Sequence, residues 1–196
     1  TTNNIIEKLH SSVRPLIIVG NGIRLSGAVI SFNEFLKKHK IPVVTSLNGN
    51  DIVHSDYDYN FGRFGTAGQI TPNKLIQECD LLLSIGSRLY VRQIGYNFKG
   101  FAKKAFKIYV DIDNDELNKP TLHPDIKVNM DAKDFIDNVL SKVEYDNYSL
   151  WKDYCHEMRE KYPIIREKTK NQSPLSVYWA LYEIKNYVTG NYSYVT

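Results

Sequence analysis

Arg88 and Arg92 stand just past the end of an apolar run, Leu81–Ile85, with Gly86 at the junction. A guanidinium holds a phosphate through two parallel hydrogen bonds, and ligands of open α/β sheets sit beyond the carboxyl ends of the strands. A glycine at the junction lets a ligand come close to the backbone. The stretch Cys79 to Gly95 therefore reads as one wall of a nucleotide pocket, two solvent-facing arginines on a loop being the plainer alternative. Other chemistries find little to work with. His10, His39, His54, His123 and His156 have no metal-ligand spacing and read as surface or turn residues. No Gly-x-Ser-x-Gly elbow and no Walker lysine is present. Cys79 and Cys155 form no Cys-x-x-Cys pair and read as packed thiols of a reducing cytoplasm.

The elements that must position such a pocket follow from periodicity. Pro15 to Val19 is a second wholly apolar strand, and it runs into Gly20 and Gly22, a pair that by itself reads mostly as a turn. Leu25 stands where a dinucleotide fingerprint wants its third glycine. Ala28, Val29, Phe32, Phe35 and Leu36 recur at helical spacing. Ile41–Thr45 reads as a strand leading into the polar loop Ser46–Asp51, and Thr71-Pro72 has cap and first-turn chemistry for a short helix. Phe106–Val110 and Asp125–Val128 supply further strands. Asp111 and Asp113, just past the first of these, either cap the turn before Glu116 or accept from a ribose. Asp131 caps a helix with Ala132, Phe135, Ile136, Val139, Leu140 and Val143 on one face. Strands alternating with amphipathic helices predict an α/β fold, a doubly wound, mostly parallel, six-stranded Rossmann-like sheet with flanking helices.

Composition sets the class. The 196 residues are 42% hydrophobic and 12% aromatic, enough for one core of ordinary size. Twenty-five basic and 22 acidic residues are interspersed, so no concentrated field points to nucleic acid. No apolar run approaches the roughly 20 residues that span a bilayer. The sequons at Asn147, Asn171 and Asn191 read as chance in a chain rich in Asn and Ser. After Val143 the character changes, and most of the tyrosines follow. We place a first domain over 1–143 and, over 144–196, a helical linker and the start of a truncated following domain. One helix carries Trp151, Tyr154, Cys155, Met158 and Tyr162 and is limited by Pro163. Another begins at Pro174 and presents Tyr178, Leu181, Tyr182, Ile184 and Tyr187. Tyr192–Thr196 reads as the start of a strand, and the chain as an excised middle piece.

Ordered blocks from Arg14 to Leu140 resemble the central domain of thiamine-diphosphate-dependent enzymes of the acetolactate synthase group: Arg14-Pro-Leu-Ile-Ile-Val-Gly-Asn-Gly22, Ile41-Pro-Val-Val-Thr45, Gly62-Arg-Phe-Gly-Thr-Ala-Gly68, Asp80-Leu-Leu-Leu-Ser-Ile-Gly-Ser-Arg88, Val110-Asp-Ile-Asp113 and Val128-Asn-Met-Asp131. The resemblance implies a non-catalytic central domain joining two flanking domains of the same chain, in a homodimeric or homotetrameric cytoplasmic parent. The flanking domains hold thiamine diphosphate and magnesium, so the fragment alone is expected to be inactive. It implies FAD or ADP as a possible ligand here, with Gly20 and Gly22 near the ligand backbone, Gly65 and Gly68 in a glycine-rich loop over it, and Gly86, Arg88 and Arg92 around the dinucleotide. Asp111 and Asp113 match an acidic pair for ribose or adenine, and Asp131 a further acid at the adenine end. Tyr90 stands where flavin-binding members usually carry Asp. The alternatives are a stand-alone adenine-nucleotide module and a structural spacer with an empty pocket.

Overall fold

The computed structural model describes residues 2–54, 57–143 and 148–188. The continuous apolar runs form its centre. β1 (Pro15–Val19) and β4 (Leu81–Ile85) are buried along their whole lengths and pair in parallel, Pro15 opposite Leu81 and Val19 opposite Ile85. A strand covered on both faces has no solvent side, so alternation is absent from its sequence. β2 (Val43–Thr45) and β3 (Asn60–Arg63) extend the sheet beyond β1, and β5 (Phe106–Asp111) and β6 (Ile126–Asn129) extend it beyond β4. The sheet has six strands in the order β3-β2-β1-β4-β5-β6, and every pairing is parallel.

Helices fill the connections. α1 (Thr2–Ser11) buries Ile5 and Leu9 before β1 begins. α2 (Gly22–Leu25) and α3 (Val29–His39) follow β1, and α3 buries Phe32, Phe35, Leu36 and His39. α4 (Ile70–Glu78) leads to β4, and α5 (Val91–Ile94) leaves it. α6 (Asn114–Asn118) and α7 (Ala132–Asn138) follow β5 and β6, each N-capped as its sequence predicts: Asp113 accepts from the Asp115 N–H at 3.0 Å and Asp131 from the Lys133 N–H at 2.8 Å. α8 (Ser149–Lys161) and α9 (Val177–Tyr187) complete the order.

Four expectations change. β3 has no apolar run to announce it: it is an edge strand carrying Asn60, Gly62 and Arg63, with a register shift against β2. Thr71 is not a cap, because α4 starts at Ile70 after Gln69; the buried Thr71 hydroxyl donates instead to the Met158 carbonyl at 3.1 Å. His39 is not at the surface. It is 2% exposed and stacks on Phe35 with ring centroids 4.6 Å apart. The composition break at Val143 falls inside a compact unit that runs to Arg159, since α8 buries Trp151, Cys155 and Met158, and Trp151 donates to the Pro15 carbonyl at 2.9 Å.

Residues 160–196 form the second unit. There α9 starts at Val177 rather than Pro174, Trp179 is buried and donates to the Arg166 carbonyl at 3.0 Å, and Tyr178, Leu181, Tyr182, Ile184 and Tyr187 are exposed. The expected strand Tyr192–Thr196 and the sequon residues Asn147 and Asn191 lie outside the described residues. Cys79 and Cys155 are buried free thiols, and burial pushes Cys79 up to about 12, so it is not a thiolate near neutrality. Among the described residues no helix is long and apolar enough to cross a membrane.

Candidate functional site

β1 and β4 lie side by side, and from them the chain winds outward in opposite directions, which opens a crevice at their carboxyl ends. The floor of that crevice is backbone against backbone. Gly20 N–H donates to the Ile85 carbonyl at 2.9 Å, and Gly22 N–H to the Gly86 carbonyl at 3.0 Å. A Cβ on Gly20 would fall 2.1 Å from the Gly86 oxygen, and one on Gly86 would fall 2.6 Å from the Gly22 Cα. Gly86 also has φ +60°, a region side chains avoid. These three glycines let two loops interlock, and Gly22 and Gly86 then present their backbones to the crevice.

A cavity of about 570 Å³ sits on this floor. Gly22, Gly86, Arg88, Asp111, Asp113 and Asp131 all line it, six of the expected residues from four separate segments of the chain. Gly20, Gly65, Gly68 and Arg92 do not line it. Gly20 is sealed beneath Gly86. Gly65, with φ +106°, belongs to a turn held by Asn73, whose Oδ1 accepts the Gly65 N–H at 2.9 Å. Gly68 closes that turn onto Gly65. The loop meets the α5 backbone rather than the cavity: the Thr66 N–H and hydroxyl both donate to the Arg92 carbonyl, at 2.9 and 3.0 Å, and the Arg92 side chain is exposed.

Charge within the cavity is uneven. Asp111 accepts the Asp113 N–H at 3.0 Å, and desolvation by burial holds its carboxyl above the usual carboxylate range, Arg88 opposing that rise. Asp113 and Asp131 each spend one oxygen on a helix cap and face the cavity as well. Arg88 is mostly exposed, its Nε 3.7 Å from Glu116 Oε1, while Lys119 bonds the other Glu116 oxygen at 2.6 Å and the Arg88 carbonyl. Ser87 contributes a sealed hydroxyl without a hydrogen-bond partner among the described residues. Such a group costs stability unless something bonds it. Ser87, Asn21, Gln93 and Met130 join the lining without a sequence signal of their own; all lie close beyond a strand or loop end that the sequence locates.

Residues 2–139 match the family of thiamine pyrophosphate enzymes, central domain. The chain belongs to this family. Its six-stranded parallel sheet is the α/β architecture expected of that central domain. Among curated relatives, the acetolactate synthase large subunit of Porphyra purpurea is 30% identical over 87% of this chain and 30% of its own length. The acetolactate synthase isozyme 2 large subunit of Escherichia coli (strain K12) is 32% identical over 80% of this chain and 28% of its own, and the large subunit of Lactococcus lactis 32% over 83% and 28%. The chain spans less than a third of the length of these relatives.

Proposed function

We propose that this central domain serves a thiamine-diphosphate-dependent enzyme of the acetolactate synthase type, a cytoplasmic homodimer or homotetramer that decarboxylates a 2-keto acid such as pyruvate and joins the two-carbon fragment to an acceptor. The family match and the similarity to acetolactate synthase large subunits support this reading. Thiamine diphosphate, with magnesium, would be held by flanking domains and supplies the carbanion chemistry. The domain described here joins them, and its own ligand is an adenine nucleotide, either ADP or the ADP half of FAD.

The observation that carries the nucleotide reading is the cavity at the β1/β4 crevice, where a phosphate-gripping side chain and hydroxyl-accepting carboxylates meet over exposed glycine backbone. Its 570 Å³ falls within the usual range for ligand sites, roughly 300–1000 Å³. Arg88 would hold a phosphate and Asp111 would accept from a ribose hydroxyl. Tyr90 in place of the acid of flavin-binding members favours ADP over FAD. The Arg88–Glu116 contact favours the other reading, a spacer whose cavity stays empty, because an incoming phosphate must compete with that carboxylate.

Titration calorimetry with ADP and FAD, on the protein and on Arg88→Ala, separates these readings. The nucleotide reading expects ADP to bind and the substitution to weaken it by about tenfold to a hundredfold, one charge-assisted contact. Equal affinities would remove Arg88 from the site, and absence of binding would leave the spacer. The 196-residue chain by itself should neither bind thiamine diphosphate with magnesium nor release carbon dioxide from pyruvate, whereas the longer parent should do both. Turnover by the isolated chain would overturn the assignment.

A further inference from the structure

A second cavity, of about 200 Å³, opens beside β5 and shares no residue with the first. Three segments build it: the turn carrying Phe98, Lys99 and Phe101, the β5 residues Lys107 and Tyr109, and the stretch carrying Leu122 before β6. Lys107 and Tyr109 are two apart on a strand, so both project from one face of the sheet. Phe98, Phe101 and Leu122 give the cavity apolar walls, and Phe101 and Leu122 are themselves buried.

The polar groups are what distinguish it from a packing defect. Tyr109 is 4% exposed, and among the described residues its hydroxyl takes no hydrogen bond. Its oxygen is not among the sealed unpartnered atoms, which are His39 Nδ1, Ser84 Oγ and Ser87 Oγ. It therefore reaches open space, and the cavity that Tyr109 lines supplies that space. A buried tyrosine ordinarily finds a partner for its hydroxyl. The ammonium groups of Lys99 and Lys107 also bond and pair with nothing among the described residues. Asp125, the carboxylate whose charge acts on Tyr109, is exposed and gives one oxygen to the Lys107 backbone N–H at 2.7 Å. Two cations against one acid leave the site net positive, with a neutral donor at its base.

We propose that this cavity binds a small carboxylate with an apolar body, its oxygens toward Tyr109 Oη and Lys107 Nζ and its body between the aromatic walls. A space of this size holds about seven water-sized groups at roughly 30 Å³ each, which admits one short aliphatic or single-ring acid and excludes a nucleotide. The site is independent of the nucleotide reading, since it uses none of that cavity's residues.

Benzoate is the probe, and benzamide, of nearly the same shape but uncharged, is its control. In ¹H–¹⁵N correlation spectra of the 196-residue protein, benzoate should shift the amides of Phe98–Phe101, Lys107–Tyr109 and Thr121–His123. Tyr109→Phe and Lys107→Gln should each weaken binding by about tenfold, and benzamide should bind about tenfold more weakly than benzoate. Tyr109→Phe removes an unpartnered hydroxyl and keeps the ring, so its melting temperature should match or exceed that of the unaltered protein. Should that variant fold poorly, Lys107→Gln, whose side chain is only partly buried, decides the matter. No shift at millimolar benzoate, shifts centred on other residues, equal binding of benzamide, or undiminished affinity in the variants would each overturn the proposal.

Discussion

At Gly86 one methyl group decides whether two loops can touch. Gly86→Ala would place a Cβ 2.6 Å from the Gly22 Cα in a left-handed conformation, so overpacking and backbone strain add. A loss of about 2–4 kcal/mol is expected, read from urea midpoints, and a loss near zero would refute the interlock. His39 makes a pH prediction. Desolvation by burial, helped by Lys38, lowers its affinity for a proton below the ordinary 6.5, so below that pH the unfolded chain binds more protons than the folded one. Stability should be insensitive to this group above 6.5 and fall as pH drops from there toward the lower folded value. Comparison of urea midpoints at several pH values for the protein and His39→Phe should show that the substitution flattens this slope. The position was readable: His39 sits four residues after Phe35 and seven after Phe32, on the apolar face of α3, and judging it by residue type hid its placement. The glycines at 20, 22 and 86 were readable as loop residues, but their partners lie across the sheet, where spacing along the chain carries no information.

Elements announced themselves in proportion to their burial. β1 and β4 are apolar runs because both faces of a parallel sheet are covered, β5 is buried only over Ile108–Val110, and Asp113 and Asp131 mark helix starts by the chemistry of capping. β3 was silent, since an edge strand needs little apolar surface. α8 was misplaced relative to the core because composition shows that a helix has an apolar stripe without showing what covers it. Its anchors are specific: Trp151 Nε1 on the Pro15 carbonyl, the Thr71 hydroxyl on the Met158 carbonyl and, from the residue just before the helix, the Tyr148 hydroxyl on the Leu9 carbonyl at 3.1 Å. Trp151→Ala should therefore cost about 3–5 kcal/mol, a core truncation, whereas Asp131→Ala, which removes one cap, should cost about 1 kcal/mol. Chemical denaturation of both variants checks the ranking, and the reverse order would place α8 outside the core.

For the whole molecule, two compact units imply two responses to protease. Limited digestion should cut first between Tyr162 and Ser176 and leave a resistant product that contains all of 1–159; an early cut within 1–143 would contradict the packing of α8 on the first unit. The fold class was readable because strand and helix periods alternate along the chain. The charge pattern of the cavity was not, since Glu116 meets Arg88 only after β4 and β5 are in place. The interlocked glycines also have a consequence in time. Gly22 and Gly86 follow neighbouring strands that are separated in sequence by β2, β3 and α4, and contacts of long sequence separation form slowly. On the proposed nucleotide reading, helical signal in a refolding experiment should recover before affinity for ADP, because the crevice has no floor until β1 and β4 pair. A nascent chain would likewise lack the floor of the crevice until synthesis has passed β4.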